Sequence, residues 1–495
     1  MSWIIGLYHV MTNETNPWVI IFVLSFFGMI VAYARSFYER YMNSLLRGKR
    51  YQIFISIISR LYLLMTIGSI LFLGAMLITG NLVYDDINFG WVMPAIAYVG
   101  PLLPVIIPLI IAWWLVAVYY GWGTTEAVFT YLWIRRILPG KPIVVVLTDV
   151  WRDLDDLIAL LALGSLPVKL PLVVTTLVKP VERARKLVTA FRMVKMRDTK
   201  VVAGSSGIPD GQHEGTLWYE LNERHIPLAE EGTVQIDGVQ AILNLLKSST
   251  KKVILVCIAS FKDYAAAARK DPDAFENVRR VVIMGGVNQE VFLKEKRIIP
   301  DGSANNTFSP EDAAGFMQFC IDKSIEMRIV TRDAVIEANV PIYTYYELWE
   351  KSKSPVAREL VVTGFASLEH LLHRVSSDDP EVRGTLPPVL DRRWFIKKFL
   401  NEAIEEGDLR LDSALPANTL VRFTRDVSWY DLVASLAVDD VLARLLFNWQ
   451  AVRINGTTHL VSGIAGRKNV RFPDIVRYLM VSHVLRTLMK GEKER

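Results

Sequence analysis

Val144–Leu163, VVVLTDVWRDLDDLIALLAL, decides the reading of the fold. A β-branched apolar run predicts a buried strand, IVVVLTDV. DDLIALLAL then predicts a helix, ended by Gly164. Between them stand four carboxylates, Asp149, Asp153, Asp155 and Asp156. Asp155 and Asp156 open the helix, where backbone N–H groups and the helix dipole favour negative charge. That N-terminal role accounts for one or two acids, but not for Asp149, six residues earlier at the strand end. Carboxylates converging on one loop repel each other unless a cation or a proton sits among them. An all-oxygen donor set suits a hard cation, Ca²⁺ or Mg²⁺. No His/Cys set has zinc spacing, and there is no GxxxxGK[ST] phosphate loop.

Outward from this stretch the same alternation continues. LPLVVTTLV, TKVVAG, KVILVCIA and RRVVIMGG predict strands. VERARKLVTAFRMVKM, IDGVQAILNLLKSS and DYAAAARK predict helices. Strand–helix alternation implies an α/β fold, a mainly parallel sheet with helices on both faces, over residues 141–495. Ligands bind such sheets at the C-terminal ends of the strands, where Asp149 falls.

The first 140 residues differ in character. Thr15–Ala34, Leu61–Tyr84 and Ile87–Thr125 carry no charge, and the mean hydropathy of the chain is positive, +0.27. Runs of this length predict three transmembrane helices, about 17–34, 61–80 and 90–118, forming a membrane anchor over 1–140. The Arg/Lys-rich segment Arg35–Arg50 and the acidic NLVYDDINF then place the N-terminus outside and the C-terminal domain in the cytoplasm. The lipid bilayer is thus an expected partner. The net charge of +5 is mild. It reads as solvated surface and contact with anionic lipid, not as a nucleic-acid interface. Cys257 and Cys320 sit in apolar contexts and read as buried thiols.

LTDVWRDLDDLIAL resembles the opening DTDxxxDxDDxxAL motif of inosine-uridine-type nucleoside hydrolases. Further segments follow in the family's order: TTLVKPVERARKLV, CIASFKDYAAAARKDPDAFENVRRVVIMGG, ANNTFSPEDAAGF and SWYDLVASLAV. The resemblance runs from about Lys141 to the end. It implies a Ca²⁺ site, with Mg²⁺ an alternative, held by Asp149, Asp156, Asp431 and the backbone carbonyl at Lys262. It implies that Asp155 holds the ribose hydroxyls and that Asn306, or Asn305 after a one-residue slip, touches the sugar. Asp149 would accept the proton of a water that attacks C1′. Tyr430 stands where many members carry a His that serves the leaving group.

Several family positions are changed. Leu147 replaces the first Asp of DTD. Lys179 and Pro180 replace the Gly-Asn after the second strand. Lys262 and Asp263 replace the Thr-Asn of GPLTN, and Ala304 replaces a Glu. A Lys262 ammonium turned into the acidic site would replace the cation. His213 lies in a loop placed over the base in the family, and Asp301 in IPDG fits a plain turn. Ser367–Glu406 reads as helices with charged faces, covering the pocket or forming a homo-oligomer face. The expected function is a membrane-anchored hydrolase of N-glycosidic bonds in a nucleoside or related ribosyl compound. The alternative is an inactive relative serving as a binding or assembly module.

Overall fold

The computed structural model describes residues 141–209, 219–383, 386, 389–400, 405, 407, 408 and 422–491. The three apolar windows, the 1–140 segment and His213 lie outside the described residues. Strand β1 (Ile143–Thr148) forms where the sequence predicts it, with Val144 to Thr148 wholly buried. The acidic turn leads into helix α1 (Leu154–Leu163), nine of whose ten residues are buried. A helix apolar on every side must lie inside. Gly164 is its C-cap, where a Cβ would come within 2.6 Å of Met196 Sδ.

Strands β2 (Lys169–Thr175), β3 (Lys200–Ala203) and β4 (Gln235–Ile236) continue on one side of β1. Helix α2 (Pro180–Met193) joins β2 to β3. After helix α3 (Gly238–Ser248) the chain returns to the other side of β1 with β5 (Val253–Ile258). Helix α4 (Lys262–Lys270), β6 (Val278–Met284), helix α5 (Pro310–Asp322) and β7 (Glu326–Val330) extend that side. Helix α6 (Pro355–Val375), helix α7 (Tyr430–Leu436) and helix α8 (Asp440–Leu446) precede the hairpin β8 (Gln450–Ile454) and β9 (Thr457–Ser462). Helix α9 (Pro473–Leu488) packs against α1.

The nine strands run in the order β8-β9-β7-β6-β5-β1-β2-β3-β4. Every pair is parallel except β8–β9. One face buries Val145, Leu147, Leu255, Cys257, Ile283 and Ile329 with Phe261, Tyr264 and Phe316. The chain reverses direction at β1/β5, which makes the crevice above those two strands the topological switch point. Asp149 follows β1 and Lys262 opens the helix after β5, so both flank that crevice.

Among the described residues no helix is long and apolar enough to cross a membrane. The expectation of an integral membrane protein with three spans, its N-terminus outside and its C-terminal domain cytoplasmic, is corrected to this extent: no described helix supplies a span. The longest described helix, α6 with 21 residues, carries Arg358, Glu359, Glu369 and Arg374, charges that a bilayer-spanning stretch excludes. Nor does the structure support a lipid partner or a homo-oligomer.

A buried ionic layer ties α2 and α6 to the turn after β1. Lys186 Nζ donates to Glu359 Oε1 at 2.7 Å, with both side chains at 0% exposure. The same ammonium lies 4.3 Å from the Trp151 ring centroid, a cation–π contact. Burial pushes the Lys186 pKa down, and the Glu359 charge opposes that shift. Removing one member of such a pair strands the other charge in the interior. Glu359→Ala is therefore expected to destabilise the fold by about 3–5 kcal/mol in urea unfolding. Lys186→Met with Glu359→Leu should lose much less; equal losses would show that the pair does not act as a unit.

Candidate metal and ribosyl site

The acidic turn is shaped by the backbone before it is shaped by charge. Trp151 has φ +81°, a left-handed conformation that a bulky side chain adopts only under constraint. The constraint comes from α2. Trp151 Nε1 donates to the Arg183 carbonyl at 3.1 Å, while Arg183 Nη1 donates to the carbonyls of Val150 at 2.8 Å and Asp149 at 3.2 Å. Arg183 Nε reaches the Val178 carbonyl at 2.8 Å, and Nη2 pairs with the fully buried Glu220. One guanidinium thus fixes the backbone that presents Asp149.

Asp155, Asp156 and Asp431 converge, with one carboxylate oxygen from each lying within 4.8 Å of the others. Asp156 and Asp431 are buried at 2% and 5% exposure, and Asp155 is half-buried. Asp431 enters from the first turn of α7, where its backbone N–H donates to Asp155 Oδ2 at 3.3 Å. Thr148 donates its hydroxyl to Asp156 Oδ1. Asp149, also buried, stands outside the group of three, yet its charge is the first neighbouring influence on Asp156 after burial.

Burial raises Asp149 to about 7 against the pull of Arg183 and Arg152. Burial and then the Asp153 charge raise Asp155 to about 8. Asp156 and Asp431 are pushed well above the usual carboxylate range, first by burial and then by neighbouring carboxylates. No basic side chain figures among the main influences on either. A buried, all-oxygen carboxylate cluster without its own counter-charge has the donor chemistry of a hard-cation site, so these residues fit Ca²⁺ or Mg²⁺.

The remaining expected residues fall as follows. Lys262 opens α4, but its Nζ donates to the Ile208 carbonyl at 2.7 Å, so the ammonium has a partner of its own. Asn306 is 2% exposed; its Nδ2 donates to Gly286 O at 2.9 Å and to Asp301 Oδ1 at 3.2 Å. Its Oδ1 is buried without a partner. Asn305 Nδ2 instead donates to Met284 O at 3.0 Å. Tyr430 bonds with Ser428, and burial raises its pKa, with the Asp155 charge adding to the rise. Asp263 accepts from the Ser205 N–H at 2.9 Å and the Ser205 hydroxyl at 2.8 Å, bracing the loop after β3. Gly204 is needed there, since a Cβ would come within 2.8 Å of the Asp263 carboxylate.

Three residues near the acids were not singled out from the sequence. Arg183 is one. Tyr345, from helix Thr344–Ser352, receives the Trp429 indole N–H at 3.1 Å and feels the Asp155 charge. Tyr219 meets His370 of α6 edge-on at 5.9 Å, and burial and the Asp153 charge raise its pKa. Only Arg183 left a signal: with Lys186 it shares the helical stripe of Leu187, Ala190 and Phe191.

No protein-family model and no curated protein sequence matches the chain. Among solved structures, the type III effector protein XopQ complexed with adenosine diphosphate ribose aligns at TM-score 0.58 and 24% identity, over 74% of this chain and 99% of that one. The effector protein XOO4466 aligns at 0.57 and 24% with the same coverage. A purine-preferring ribonucleoside hydrolase from Gardnerella vaginalis aligns at 0.46 and 12%, over 70% of this chain and 99% of that one. At 24% identity what is shared with the two effector proteins is the fold, a mainly parallel α/β sheet with helices.

The raised carboxyl pKa values set a pH dependence. A carboxyl whose pKa in the fold exceeds its ordinary 3.8 favours the neutral form there, so its contribution is present at low pH and lost as pH rises through about 7 and 8. In chelator, the Tm is expected to fall between about pH 5 and pH 8, and Ca²⁺ should restore it most at the upper end. Asp431→Asn should flatten both responses. A Tm indifferent to Ca²⁺ at every pH would exclude this electrostatic picture.

Proposed function

We propose that the chain hydrolyses the N-glycosidic bond of a nucleoside or a related ribosyl compound. One observation carries the reading: Asp155 and Asp156 of α1 and Asp431 of α7 converge at the switch point of the sheet, with no basic side chain among the main influences on Asp156 or Asp431. Asp149, Asp156, Asp431 and the carbonyl of Lys262 would hold the cation, which when bound makes a nucleophilic water available at neutral pH and anchors a diol.

The chain's own groups do the rest. Asp149, raised to about 7, is poised to accept a proton from water near neutrality. Asp155 accepts from the ribose hydroxyls. Asn306, with an unpaired buried Oδ1, offers a second acceptor to the sugar. As the bond from C1′ to the leaving nitrogen breaks, positive charge develops on the ribose, and the surrounding carboxylates stabilise it. Tyr430, which feels the Asp155 charge, would protonate the leaving nitrogen. That XopQ is seen with adenosine diphosphate ribose supports a ribosyl ligand, including one that bears phosphates.

A second reading, an inactive binding module, is favoured by Asn306, whose amide is already committed to Gly286 and Asp301. Turnover separates the two. With Ca²⁺ present, the full chain should release free base from a nucleoside panel, or adenine from adenosine diphosphate ribose. Asp149→Asn should lower kcat about 10²–10⁴-fold. Saturable ribosyl binding without any product would establish the binding module instead.

A further inference from the structure

A cavity of about 370 Å³ lies at the other end of the sheet, lined by Arg279, Arg280, Arg328, Arg444, Asp440 and Glu326, with Trp449, Thr457 and Thr458 on its wall. It sits beside the N-terminal ends of β6 and β7, where Arg280 pairs in register with Glu326. The carboxylate cluster is at the opposite, C-terminal edge. This cavity is therefore separate from the proposed reaction site and does not depend on that assignment.

Four guanidinium groups face two carboxylates here. Asp440 is the hub: Oδ2 pairs with Arg279 at 2.7 Å, and Oδ1 pairs with Arg280 and, at 2.5 Å, with Arg328. Glu326 pairs with Arg328 at 2.8 Å and with Arg280 at 3.3 Å. The carboxylates are thus already spent on three arginines. Arg444, exposed on the next turn of α8, forms no ion pair among the described residues. Arg280 is 2% exposed, and its Nε–H is buried without a partner. A buried guanidinium with an unmet donor, in a cavity with two positive charges in excess, is a site short of one anion. Burial and the nearby Arg328 charge push the Arg280 pKa down, the same imbalance expressed as a titration.

We propose that this cavity binds a phosphate group, as inorganic phosphate or as the phosphate of a small phosphomonoester. A dianion matches the charge excess. Arg280 Nε and Arg444 supply the unused donors, the Thr458 hydroxyl can donate to a remaining oxygen, and Trp449 offers a flat wall to whatever the phosphate carries.

The test is calorimetric titration of the full chain with inorganic phosphate, AMP and ADP at constant ionic strength, in chelator so that the acidic site is unloaded. Saturable binding of phosphate or of AMP is expected, weakened at least tenfold by Arg444→Ala and measurably by Thr458→Val. Both positions are exposed, so these variants should fold. Asp431→Asn, at the other end of the sheet, should bind phosphate as the wild type does. No saturable binding of any probe, or binding unchanged in both cavity variants, would overturn the proposal. So would loss of phosphate binding in Asp431→Asn. None of these outcomes bears on ribosyl hydrolysis.

Discussion

Carboxylates that leave water side by side need either protons or a cation, and that constraint organises the acidic end of this molecule. Asp156 sits in the first turn of a helix buried on nearly every side, and Asp431 arrives from α7 more than 270 residues later in the chain. Nothing in local helix or strand preference demands that these groups meet. They meet because β1 and β5 lie where the sheet reverses its order of construction, leaving a crevice into which both elements point. Packing brings the charges together, and the charges then define the chemistry available.

The turn that carries Asp149 rests on a second, concealed layer of charge. Arg183 holds the carbonyls of Asp149 and Val150, and Lys186 lies over Trp151 while pairing with Glu359. This layer converts a strained left-handed residue at Trp151 into a fixed point. It links α6, far along the chain, to the geometry of the acidic loop. The two ends of the sheet then carry opposite electrostatic surpluses: unpaired carboxylates above, guanidinium groups below.

The alternation of β-branched runs and amphipathic helices made the parallel sheet legible, because a strand buried on both faces leaves a continuous apolar signature such as VVVL. The acidic cluster was legible too, since Asp149 at a strand end exceeds what a helix cap explains. Asp155, rather than Asp149, joins Asp156 and Asp431 in the close group, a distinction of side-chain direction that spacing does not encode. The Lys262 ammonium, which a sequence reading allows as a replacement for the cation, instead serves the Ile208 carbonyl. Arg183 and Lys186 escaped notice because basic residues on a helix ordinarily face water, and only their place on the Leu187–Phe191 stripe marked them as interior. The arginine cavity was invisible for a related reason: its residues come from β6, β7, α8 and β9, and only the sheet order assembles them.

Calcium binding is the measurement on which the acidic site stands. Titrated with CaCl₂ in a calorimeter, the full chain should show saturable uptake at a single site that vanishes in Asp156→Asn. A wild-type chain that takes up no Ca²⁺ and no Mg²⁺ would mean that protons, not a cation, satisfy these carboxylates, and the proposed hydrolytic chemistry would fall with the site.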